Sequence, residues 1–222
     1  MKTTRTEKDI LDALDHARLV VVHAEQKGIV HGDLMFREPV NHIGAVLADA
    51  ALQAGLNYNS VVRVRVDRIH RLFPEAATLS GVFASVKRIG VADFLLWYHP
   101  TKVARFIRLT ELLREQGLED VPDLRTWLQN PNSRPKLLAI KGIGPKTADY
   151  LGGLVGLDYI AVDRHIRTFA SDAGVDVADY DSLQVIVSYA ADLLGVSRRD
   201  FDASIWNYVS GRQALANQYQ VI

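Results

Sequence analysis

Along most of this chain apolar residues return every three or four positions, the spacing that gives a helix one buried face. "ILDALDHARLVVVHAEQ" (10–26) follows it. "VNHIGAVLADAALQ" (40–53) is richer in Ala and Leu and predicts a more buried helix. After Pro74, "EAATLSGVFASVKRI" has the same period and is stopped by Gly90; "VADFLLWYH" stops at Pro100, where Pro-Thr can open the next helix. "TKVARFIRLTELLREQ" (101–116) ends at Gly117, a good helix stop. "DLRTWLQN" predicts a short helix with Asp123 as its cap, before a break at "NPNSRP". Downstream, "KLLAI", "KTADYLGGLVG", "RHIRTFASDAG", "SLQVIVSYAADLLG" and "FDASIWNYVSGRQALANQ" are all helical in pattern. One stretch is ambiguous. "SVVRVRVDRIHRLF" (60–73) begins by alternating like a strand, but a lone strand among helices would lack a partner, so a helix is expected. The pattern predicts an all-α protein of about ten helices.

Composition narrows the chemistry. The 222 residues, 48% of them apolar, suit one large or two small domains. Twenty-six basic residues balance twenty-six acidic ones, so a surface for nucleic acid has to be local. The chain has no cysteine, which excludes disulfides, thiolate nucleophiles, iron–sulfur clusters and cysteine-ligated zinc. "MKTTRTEKDI" lacks the apolar core of a signal peptide, and no stretch approaches the roughly 20 apolar residues of a membrane span. A soluble, cytoplasmic protein is expected.

The most informative stretch is "LAIKGIGPKTADYL" (138–151). It is not a P-loop, because Pro145 separates Gly144 from Lys146 and the upstream glycine is missing. It is not a dinucleotide fingerprint, because Thr147 stands where the third glycine belongs and no strand precedes it. What remains is a short helix, a tight Gly-Ile-Gly turn and a second helix. Glycines permit positive φ and close approach of another backbone, and the N–H groups opening the second helix point outward together. That is an anion site suited to one phosphate of a DNA backbone, and it needs no net positive charge.

"LLAIKGIGPKTADYL" resembles the helix–hairpin–helix of the base-excision DNA glycosylases of the endonuclease III type, and "IAVDRHI" resembles the aspartate segment of that family, with Arg164 where a threonine is usual. Weaker likenesses run from about residue 40 to about 212: "VLADAALQAGLNYNSV" is similar to the helix and loop that carry a glutamine wedge, "WYHPTKVARFI" to a Tyr-x-x-x-Lys-Ala stretch, and "FDASIWNYVSGR" to the helix that ends before a cysteine cluster. With no cysteine, the chain resembles the superfamily's cluster-free members, and the choice of base does not carry over.

The resemblance implies roles residue by residue. Lys146 would be the amine nucleophile that attacks the sugar C1′, expels the base and forms a Schiff base. Asp163 would stabilise positive charge on the sugar or assist proton transfer. Gly142, Ile143 and Gly144 would form the DNA-binding hairpin, and Gln53 would fill the gap left by the extruded nucleotide. Each has a plainer reading. A lysine in a first helical turn is usually solvated, Asp163 is well placed to cap "RHIRTFASDAG", and Gln53 sits at a helix end. His165 reads as a structural hydrogen-bonder, and Lys141 as an auxiliary amine if it lies close. One or two of Arg63, Arg65, Arg68 and Arg71 could contact phosphate, although all four cannot share one helix face. Tyr58, Trp97 and Tyr98 could line a base pocket but are more often core.

The expected architecture is two helical lobes with an active-site cleft between them. Residues 36–157 would form a helical barrel ending in the helix–hairpin–helix, and 1–35 plus 158–222 a second helical domain built from both termini. The expected function is a DNA glycosylase with abasic-site lyase activity, acting as a monomer on duplex DNA with a damaged base, without metal or cofactor, and nucleoid-associated if the source is prokaryotic. The alternatives are a monofunctional glycosylase and a non-catalytic DNA-binding module.

Overall fold

The computed structural model describes residues 6–29 and 40–219, with side chains to Gly211. Among the described residues every regular element is a helix, so the fold is all-α. The chain divides into two compact units, one of Met1–Arg37 with Asp158–Ile222 and the other of Glu38–Leu157. The expected boundary near residues 35 and 36 lies outside the described residues.

The continuous unit is organised around α2 (Ile43–Leu52), in which all ten residues are buried. An Ala-rich helix can be surrounded on all sides because its small side chains let neighbours approach. Here the neighbours include α3 (Arg63–Leu72), α6 (Pro100–Glu115) and α9 (Pro145–Leu154). His42 caps α2: its Nδ1 accepts from the Ala45 N–H at 3.1 Å and its Nε2 donates to the Phe73 carbonyl at 2.9 Å. That pairing fixes a neutral tautomer, and burial holds the His42 pKa below the usual histidine value.

The remaining helices of this unit are α4 (Leu79–Ile89), α5 (Val91–Leu95), α7 (Val121–Gln129) and α8 (Ser133–Leu138). The ambiguous segment is helical, opening with a π-turn at Tyr58–Val62 that runs into α3. "EAATLSGVFASVKRI" is not one helix. A 3-10 turn, Pro74–Ala77, is separated from α4 by Thr78, whose hydroxyl caps Gly81. Asp120, not Asp123, caps α7, while the Asp123 carboxylate reaches back to the Glu119 N–H at 2.9 Å. "NPNSRP" is not simply a break, because α8 begins inside it at Ser133 and places Pro135 in its first turn, where a missing N–H costs nothing.

The second unit contains α1 (Glu7–Gln26), α10 (Arg164–Asp172), α11 (Tyr180–Leu194) and α12 (Arg198–Tyr219). Thr6 and Asp9 form a capping box that opens α1. Val20, Ile166, Phe169, Leu183, Ile186 and Phe201 are among the residues that close its core.

Candidate functional site

The stretch singled out in the sequence folds as α8, a turn over residues 139–144, and α9. The Ile143 N–H donates to the Ile140 carbonyl at 2.9 Å, with Gly142 between them at φ 88°. A side chain is rarely tolerated in that conformation, and a Cβ at Gly142 would lie 2.6 Å from the Arg105 guanidinium. Gly144 differs. Its φ of −103° and ψ of 179° suit any residue, and a Cβ there would meet nothing within 4 Å. Among the described residues nothing requires a glycine at 144, and the space beside the start of α9 is open. Ile143 is buried, its side chain anchoring the turn, so a contact from Ile143 to DNA would have to come from its backbone. Arg134 of α8 and the buried Asp149 of α9 form a two-pronged ion pair that ties the two helices together.

Lys146 lies in the first turn of α9 but is half-buried rather than solvated. Its Nζ donates to the side-chain oxygen of Gln53 and stands 4.9 Å from the centre of the Tyr150 ring. The Tyr150 hydroxyl donates to Asp49, a buried carboxylate of α2, at 2.8 Å, and Tyr58 donates to the other oxygen of Asp49 at 3.1 Å. Gln53 is not an exposed wedge. Only 8% of it is accessible, because the end of α2 turns it inward, and its amide also donates to the Thr147 hydroxyl at 3.3 Å.

Two cations of α6 complete this neighbourhood. Lys102 donates to the carbonyls of Leu52, at 2.7 Å, and of Ala54; Arg105 donates to that of Ala51 at 3.0 Å. They satisfy carbonyls at the C-terminal end of α2, where the helix dipole favours positive charge. Burial first, then the charges of Arg105 and Lys146, lower the Lys102 pKa to about 8. Lys102 is the lysine of the Tyr-x-x-x-Lys stretch, but neither residue was given a role from the sequence, although their i, i+3 spacing places them on one face of α6. Lys141 is exposed in the turn.

Asp163 is the N-cap of α10. One oxygen accepts from the backbone of His165 at 2.7 Å and of Ile166 at 3.1 Å, and the other faces the His165 ring at 3.0 Å. About a fifth of the Asp163 side chain is exposed, while His165 is buried beside Trp206.

Arg71 is exposed, and most of the other candidates have structural partners. Arg65 and Arg68 donate to carbonyls of Leu96 and Phe94, and Arg63 pairs loosely with Asp67. Tyr98 is exposed and donates to Asp93, while Trp97 lies under the Arg65 guanidinium. Among the described residues no cluster of His, Asp or Glu could hold a metal ion, and no helix is long and apolar enough to cross a membrane. No family model, curated protein or solved structure matches this chain.

Proposed function

We propose that this protein is a base-excision DNA glycosylase of the helix–hairpin–helix type with abasic-site lyase activity, acting on duplex DNA. The observation that carries this reading is the environment of Lys146. A lysine in a first helical turn is usually solvated, but this one is turned inward, with its amine on the oxygen of Gln53 and over Tyr150, and within reach of the Lys102 charge. The neutral form of this amine is the one that can act as a nucleophile. The open face of Gly144, next to the start of α9, supports a phosphate contact that brings DNA to this amine.

In this mechanism the Lys146 nitrogen attacks C1′ of the damaged nucleotide. The C1′–N bond breaks, and its electron pair leaves with the base, which takes up a proton. Loss of the amine proton and opening of the sugar ring give the imine, from which strand cleavage follows by elimination. The step also needs a carboxylate to balance positive charge on the sugar, which is the role the family resemblance gives to Asp163.

A second reading is favoured by one observation. Both oxygens of Asp163 already serve α10 and His165, as a structural cap would. On that reading the turn grips the DNA backbone without catalysis. Borohydride trapping on duplex DNA with an abasic site tests the choice. A covalent adduct that disappears in Lys146→Ala is expected. Intact DNA binding with no adduct, and no base release that depends on Asp163, would leave the binding module.

A further inference from the structure

Gln53 and Lys146 are 93 residues apart in the chain and meet because α2 packs on α9. The backbone that presents Gln53 is held firmly. Gln53 is the C-cap residue of α2, its own N–H donates to the Asp49 carbonyl at 2.9 Å, and the carbonyls of Ala51, Leu52 and Ala54 around it are held by Arg105 and Lys102. The side chain is buried, and a buried amide needs partners for both its oxygen and its nitrogen. It has them. A protonated lysine can only donate, so the amide oxygen must face Lys146, which leaves the nitrogen to donate to Thr147. The orientation of the amide is thus set from both sides by consecutive residues of α9.

We propose that Gln53 is a positioning residue for Lys146: its side-chain oxygen holds the amine at the start of α9, and Thr147 keeps that oxygen pointing the right way. This inference rests on the reading of Lys146 as the nucleophile. Gln53 itself touches neither sugar nor base; it acts through the lysine, by limiting the directions in which the amine can point. It also acts on charge. An acceptor on the amine favours the protonated form. The other charged and titratable groups around the site are Asp49 on α2, engaged by Tyr58 and Tyr150, the Arg134–Asp149 pair joining α8 to α9, and exposed Lys141 in the turn.

Two substitutions separate an electrostatic contact from a merely structural one, because they push the lysine in opposite directions. Gln53→Leu removes the acceptor and favours the neutral amine. Gln53→Glu replaces the acceptor with a negative charge and favours the ammonium. The Lys146 ε-carbon signal in 13C-labelled full-length protein, assigned by its loss in Lys146→Ala, reports the protonation state across a pH titration. The midpoint is expected to fall by about half a unit in Gln53→Leu and rise by about 1 unit or more in Gln53→Glu. The pH dependence of borohydride trapping should move in the same directions, with about tenfold less adduct formed by Gln53→Glu below the midpoint. Thr147→Val, which keeps the shape of the side chain, should move the midpoint the same way as Gln53→Leu, but less, and it serves if Gln53→Leu does not fold. Three coincident titration curves for the wild type, Gln53→Glu and Thr147→Val would overturn the assignment of Gln53. Shifted curves in a protein that never forms the adduct would keep the contact but overturn the role of Lys146 as nucleophile.

Discussion

The surroundings of Lys146 and Asp163 are built in opposite ways. The polar partners of Asp163 are two and three residues away, in the helix it caps. Lys146 has Tyr150 one turn along α9, but the oxygen that takes its amine comes from Gln53, and the charges beside it come from α6. A local environment like that of Asp163 needs only the sequence around it. An environment like that of Lys146 exists only once the helices have packed, and it is as stable as that packing. Residues that hold α8, α9 and α2 in place should therefore matter more for the lysine than the cap does for the aspartate.

The largest effect on stability is expected at Arg134. Arg134→Met would remove the two-pronged pair to the buried Asp149 carboxylate. The cost should be about 2–3 kcal/mol in urea unfolding, somewhat below that of a fully buried pair because the Arg134 side chain is one-third exposed. A loss no greater than that of Asp163→Ala would break the comparison. Next come the two glycines of the turn. Gly142→Ala should cost about 1–2 kcal/mol, since it places a side chain at φ 88° against Arg105. Gly144→Ala should stay within about 0.5 kcal/mol, because its Cβ would enter open space, and on the proposed function it should weaken duplex binding. Equal destabilisation by both changes would mean that Gly144 also serves the fold.

On the local side, Asp163→Ala should cost about 1 kcal/mol and Asp163→Asn only a few tenths, because Asn is as good a cap. Base release that survives in the Asn variant would assign Asp163 to capping alone. The smallest effect is expected at His42, whose partners are both local and distant. Its folded pKa lies below the unfolded value of 6.5, so between the two the unfolded chain binds more protons. Stability should therefore decline as pH falls through 6.5 and level off below the folded pKa. His42→Asn, which can still cap but does not titrate, should flatten that decline in a comparison of thermal midpoints from pH 7.5 to 5.

Much of the fold was legible in the sequence because helix-forming signals act within a few residues. Gly90, Pro100 and Gly117 mark helix boundaries through backbone conformations that no distant contact has to supply. The errors came where two local signals competed. Asp120 and Asp123 are both capable caps, and the structure uses the first for the N-cap and the second for the preceding N–H. "NPNSRP" looked like a break, yet proline is tolerated in a first helical turn, which is where Pro135 falls.

For the candidate site the division is sharper. The sequence by itself determined the all-helical class, the turn between α8 and α9, the lysine that opens α9 and the aspartate that caps α10, because each depends on neighbours a few residues away. Only the tertiary structure decided that Gln53 faces inward, that Lys102 and Arg105 hold the end of α2, and that Lys146 is engaged rather than solvated. Those outcomes depend on which helices pack together. Hydrophobic burial selects that packing without regard to distance along the chain, and the polar groups it brings inside must then find partners wherever the fold supplies them.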